Sequence, residues 1–116
     1  MPQLPNVNRA IIDPRKIADY LLDDTHPDGG PKARFLKRFG FSSNDPGSLR
    51  DALLSHAGRY DVSAEHVTKF GVIHEVVGRL ETPDRRNPIV KVVWMTGTGA
   101  DWPRLITLVP KKGQKP

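Results

Sequence analysis

Cysteine is absent from the 116-residue chain, which excludes disulfides and thiolate metal sites. Aromatic residues are scarce at 7%, with four Phe, two Trp and two Tyr. The apolar fraction is 37%, below that of an average globular domain, yet the apolar residues are periodic, so the chain is read as folded. No apolar run approaches the length of a membrane span. Met1–Pro5 shows neither the charged n-region nor the h-region of a signal peptide. These absences lead to the expectation of a cytoplasmic protein with no membrane partner.

Basic charge is what the chain has in excess. Eighteen Lys and Arg face thirteen Asp and Glu, a formal charge of +5. That balance fits a nucleic-acid binder and equally an ordinary basic protein kept soluble by its charge. Three lysines, Lys111, Lys112 and Lys115, fall in residues 111–116, expected to be a basic mobile tail; taking these three from +5 leaves +2. Residues 1–110 are read as one α+β domain.

Helix signals fill the first half. Asp13-Pro14 is an N-cap followed by proline at the first helical position, and predicts a helix from Pro14 to about Leu22 with Ile17, Ala18, Leu21 and Leu22 inward. Pro31 opens a second, with Phe35, Leu36 and Phe39 as its apolar face and Gly40 as its stop. A third is expected from Ser48, as N-cap, to Ala57, closed by Gly58. The period changes from Val67 onward. Val72–Leu80 reads as a strand or two interrupted by Gly71 and Gly78, Ile89–Thr96 as the clearest strand, and Leu105–Val109 as the last. The fold class is therefore α+β, with about three N-terminal helices packed on a C-terminal antiparallel sheet of three to four strands.

Candidate chemistry concentrates in the loop into the second helix, His26-Pro27-Asp28-Gly29-Gly30-Pro31-Lys32. Lys32 shares a helical face with Phe35, Leu36 and Phe39, and sits in the first turn, where the helix dipole disfavours a cation. A residue set against two local preferences is a candidate for function. A glycine-rich loop opening a helix binds anions, and a lysine beside it strengthens such a site. The alternative is a lysine whose stem covers the phenylalanines while its head reaches water. His26, beside the glycines, has the side chain suited to acid–base work at neutral pH. Arg34, Lys37 and Arg38 line the opposite face, as phosphate contacts or as a solvated surface. None of the four histidines has metal-motif spacing, so no metal site is expected. Among the strands, Arg104 and Thr107 lie three apart, and so on opposite faces of a regular strand; Trp94 is read as core or rim packing, or as a base platform. Lys91 falls among apolar neighbours, either snorkelling or lining a site.

The strings His26-Pro27…Gly30-Pro31-Lys32-Ala33-Arg34-Phe35, Gly40-Phe41, Leu53-Leu54-Ser55-His56, Val93-Trp94 and Pro103-Arg104-Leu105-Ile106-Thr107 resemble a group of small bacterial domains of unknown function. The resemblance spans Leu4 to Pro110 and implies an association with toxin and immunity genes. Helices followed by an antiparallel meander also resemble the barnase, EndoU, colicin and RelE-like toxin nucleases, an analogy of fold only. That resemblance implies a metal-independent ribonuclease with no cofactor, with RNA as substrate and an acidic antitoxin or immunity protein as partner. His26 would be the acid or base, Lys32 and Arg104 would hold the phosphate, Thr107 would orient it, and Trp94 would support a base. Where an aromatic is expected before the final proline, this chain has Val109-Pro110, which puts base recognition in doubt. The alternative function is a non-catalytic protein- or nucleic-acid-binding module.

Overall fold

The computed structural model describes residues 3–111. An N-terminal arm with a short 3-10 turn at Val7–Arg9 leads to Ile11, which pairs in parallel with Arg104 at the free edge of the sheet. Asp13 then caps helix α1 (Pro14–Lys16), its carboxylate accepting from the Arg15 amide at 2.9 Å. The helix widens into a π turn over Ile17–Leu21, closed by Leu22 N donating to Ile17 O at 2.8 Å. Such turns insert one extra residue and re-aim the side chains they carry; this one carries Tyr20.

Helix α2 (Gly30–Arg38) begins one residue before the proline, with Ala33 and Leu36 buried. Gly40 N bonds Lys37 O and Phe41 N bonds Leu36 O, so the stop is a Schellman motif. Gly40 has φ +103°, the conformation that motif demands of its residue after the cap, and Phe41 is buried as the accompanying apolar contact.

Helix α3 (Pro46–Arg59) departs from expectation at both ends. Its N-cap is Asp45, whose carboxylate accepts from the Ser48 amide at 3.3 Å, rather than Ser48 itself. Asp45-Pro46 repeats the Asp13-Pro14 signal. Gly58 lies inside the last turn and caps nothing; the helix ends because Tyr60 turns extended.

Four strands follow: β1 (Val62–Thr68), β2 (Gly71–Arg79), β3 (Ile89–Gly97) and β4 (Arg104–Pro110). They form an antiparallel meander in the order β1-β2-β3-β4. β2 runs unbroken through Gly78. β1 was not legible, because on this edge strand only Val62 is buried and Val67 is 86% exposed. Of the expected tail, Lys111 donates its amide to Ile89 O, while residues 112–116 lie outside the described residues.

One face of the sheet packs on the helices. Val76, Val90, Val92, Trp94, Leu105 and Leu108 meet Ile17, Leu21, Leu36, Leu49 and Leu53 in a single buried cluster. Trp102 sits at the rim, half-buried beneath the Arg9 guanidinium.

His56 is buried in this core, with Nε2 donating to Gly78 O at 3.2 Å. Burial is the main cause that holds its pKa below the usual 6.5, with the charge of Arg59 acting in the same direction. The unfolded chain therefore takes up a proton before the folded one does, and stability falls as pH drops below about 6.5. Thermal melts between pH 7.5 and 5 should show a shallower decline in His56→Gln, which retains a donor toward Gly78 O; equal slopes would reject this role.

Candidate functional site

Lys32 projects from the first turn of α2 toward the free edge of β4. Its ammonium donates to Tyr20 Oη at 2.8 Å and to Thr107 Oγ1 at 2.6 Å. The two hydroxyls are themselves hydrogen-bonded at 2.9 Å. Three segments, the π turn, α2 and β4, thus meet at one charged triangle. All three side chains are half-buried.

This triangle contains no anion. Among the described residues no carboxylate lies within ion-pairing distance of Lys32, or of Lys16, whose ammonium stands 5.1 Å from the Tyr20 ring centroid. An ammonium carries three N–H donors, and the two hydroxyls take two of them, leaving the third for an incoming acceptor. A half-buried cation held by neutral oxygens is a receptive place for an anion such as a phosphate.

Tyr20 is tuned by the same contacts. Burial alone would raise its pKa, but the hydrogen bonds from Lys32 and Thr107 and the charges of Lys32 and Lys16 outweigh burial. The net result lies below the usual 10.0. In the arrangement in which Thr107 is the donor, Oη accepts from both Lys32 and Thr107 and the phenolic hydrogen is free to point outward.

The glycine loop serves a different purpose from the one expected. His26 Nδ1 accepts from the amides of Asp28 at 3.0 Å and Gly29 at 2.9 Å, and Gly30 N donates to His26 O. These amides are therefore spent inside the loop and form no open anion nest. With Nδ1 accepting twice, the ring hydrogen of neutral His26 sits on Nε2, and the ring edges against Tyr20 at 5.1 Å between centroids. His26 thus orders the loop and braces Tyr20; in this tautomer it offers no basic nitrogen. Gly29 lets Tyr20 close down, since a Cβ there would run into the Tyr20 carbonyl and ring. Gly29→Ala is expected to cost about 1–3 kcal/mol as an overpacked site. It should also displace Tyr20 from Lys32, which the melting midpoint and the Tyr20 absorbance titration would report together.

The remaining expected site residues divide. Thr107 and Lys32 converge. Arg104 is exposed at the start of β4, and its side chain makes no hydrogen bond or ion pair among the described residues. The β3–β4 register slips between Val93 and Trp94, so Arg104 pairs with Met95 and Thr107 with Val93. Met95 and Val93 share a face of β3, so this bulge at Ile106 brings Arg104 and Thr107 onto one face, where a regular strand would have separated them. Arg34 donates to Asp24 O at 3.1 Å and Lys37 pairs with Asp24 at 3.3 Å. With Arg38 and Pro31 they line a shallow depression of about 660 Å³ on the far side of α2 from Lys32. Trp94 is completely buried in the core, which realises its packing reading and leaves no ring face for a base. Tyr20 was missed altogether: its partners lie 12 and 87 residues away, and it stands outside the apolar stripe of its helix. Among the described residues, no three His, Asp or Glu side chains cluster to hold a metal ion.

The fold and this triangle define a small α+β domain with a lysine site between its helices and the edge of a four-stranded meander. The chain belongs to the family described as a domain of unknown function, DUF6883, whose model matches residues 3–112. The fold is shared with a chain of a contact-dependent growth inhibition toxin–immunity protein complex from Klebsiella pneumoniae 342. The TM-score is 0.70 at 15% identity, over 92% of this chain and 97% of that one. No curated protein matches the chain. The expected resemblance to an uncharacterised family is thereby met.

Proposed function

We propose that the chain is a metal-independent ribonuclease of bacterial toxin type, acting at the Lys32–Tyr20–Thr107 triangle. The observation that carries this reading is the half-buried Lys32 ammonium, held by two hydroxyls and balanced by no carboxylate among the described residues. A phosphodiester supplies the missing negative charge. Lys32 holds a non-bridging oxygen through its third N–H and stabilises the charge that gathers there in the transition state, while Thr107 orients the ammonium. Tyr20, with its lowered pKa and outward hydrogen, protonates the leaving 5′ oxygen. His26 holds Tyr20 in place, and its Nε2–H adds a donor at the rim. Arg104, on the same strand as Thr107, and the Arg34–Lys37–Arg38 face extend the grip on the strand through phosphate contacts. The neighbour's toxin–immunity complex agrees with a partner of that kind, and an acidic immunity protein would complement this basic surface.

Purified protein incubated with total RNA in EDTA tests the reading. Cleavage into products ending in 2′,3′-cyclic phosphate is the expected result, and intact RNA would overturn it. The basic depression lined by Arg34, Lys37 and Arg38 favours one alternative, a non-catalytic nucleic-acid-binding module, which predicts salt-dependent RNA binding without turnover.

A further inference from the structure

Lys32, Tyr20 and Thr107 provide a cation and a proton donor but no proton acceptor, and His26 Nδ1 is already occupied by two amides. Cleavage through the ribose 2′-hydroxyl requires such an acceptor. The strand register leads to one. Ala64 pairs with Glu75, Glu75 with Val93, and Val93 with Thr107, a single row across all four strands. Paired residues share a face, and the adjacent row Val76–Val92–Leu108 is the buried one, so this row lies on the face the helices leave open. Strands stand about 4.8 Å apart, which puts the Glu75 Cα about 10 Å from that of Thr107. The Glu75 carboxylate rests between His66 on β1 and Lys91 on β3, and a swing of its side chain toward β4 would meet the ribose of a phosphodiester seated at Lys32.

Glu75 is the one carboxylate that the four strands place on this face among the described residues. Its immediate charged neighbours are both potential cations: His66 Nε2 on β1 at 3.2 Å and Lys91 Nζ on β3 at 3.7 Å. Its own-strand neighbours on the face, Ile73 and Val77, are apolar and half-buried. The carboxylate remains 23% exposed, open to a ligand lying on the sheet. Lys91, odd among its apolar neighbours in the sequence, thus holds Glu75 in place.

We propose that Glu75 is the general base of the cleavage, with the open sheet face as the bed for the ribose 5′ of the scissile phosphate; the proposal rests on the ribonuclease reading. Glu75 takes the 2′-hydroxyl proton while the 2′ oxygen forms its bond to phosphorus. The bond from phosphorus to the 5′ oxygen breaks, and Tyr20 gives that oxygen its proton. The products are a 2′,3′-cyclic phosphate and a 5′-hydroxyl, with Glu75 protonated and Tyr20 ionised until solvent exchange resets them. Lys91, on the strand between Glu75 and Thr107, is a positioning residue for the carboxylate, and His66 contacts it from the far side, on β1.

The test uses the full chain, EDTA and a 5′-labelled single-stranded RNA oligonucleotide from pH 5 to 9. Glu75→Gln is expected to lose about 100-fold or more in kcat, with KM little changed and the acid limb of the pH profile gone. Formate added to Glu75→Ala should restore part of the rate, which a merely structural role would not allow. Wild-type cleavage with Glu75→Gln equally active, or with Glu75→Ala folded and indifferent to formate, overturns the proposal and leaves the ribonuclease reading standing. RNA left intact by the wild type removes both.

Discussion

Lys32→Ala is expected to reduce RNA cleavage by about 100-fold to 1,000-fold, the range for removing one preorganised donor from a developing anion. The loss has two sources. The phosphate loses the half-buried cation held by Tyr20 and Thr107, and Tyr20 loses the hydrogen bond and charge that offset its burial. The phenol pKa then moves upward, so the variant should also show a raised tyrosine titration in a difference-absorbance experiment, independent of any substrate. Lys32→Arg should retain part of the activity, because a guanidinium keeps the charge but its planar fork fits the two hydroxyls differently. Stability should change little, since removing the ammonium leaves Tyr20 and Thr107 hydrogen-bonded to each other. A variant that cleaves at the wild-type rate, with the tyrosine titration unmoved, would remove Lys32 from the site.

The helical half was legible because capping and apolar spacing are local signals. Asp13-Pro14 and Gly40 acted where their chemistry predicted, and Pro31 one position inside its helix. At α3 the dipeptide Asp45-Pro46, the same signal that marks α1, sets the start ahead of Ser48. β1 escaped because an edge strand with polar residues on both sides has no alternation to read. Lys32 was legible as an anomaly, a cation in an apolar stripe and in an unfavourable helical turn. Its partners were less so. The bulge at Ile106 puts Thr107 on the face of Arg104, an event with no sequence mark. Tyr20 is aimed by a π turn whose extra residue breaks the period used to assign faces. The glycine loop stood out in the sequence, but Gly29 admits the Tyr20 ring and Gly30 the Asp24 carbonyl rather than an anion. Glu75 and Lys91 lie sixteen positions apart and acquire meaning only through strand pairing.

Trp94 separates a residue that builds the core from one that touches substrate. It is fully buried, paired with His74 and Leu105 across its neighbouring strands. Its Nε1 finds no hydrogen-bond partner among the described residues, so the ring contributes by packing. Trp94→Ala is expected to cost about 3–5 kcal/mol, the usual cost of emptying a buried aromatic site. For a domain of this size that lowers the melting midpoint by roughly 10 °C or more. Trp94→Phe fills much of the space and abandons no satisfied hydrogen bond, so its cost should be a fraction of that. Assayed well below its melting midpoint, Trp94→Phe should cleave RNA near the wild-type rate, because no ring face is open to a base. A base platform would behave in the opposite way, with stability preserved and KM or kcat lost on substitution. A melting midpoint unchanged in Trp94→Ala, together with impaired cleavage, would return Trp94 to the site and show that the sheet opens to admit a base.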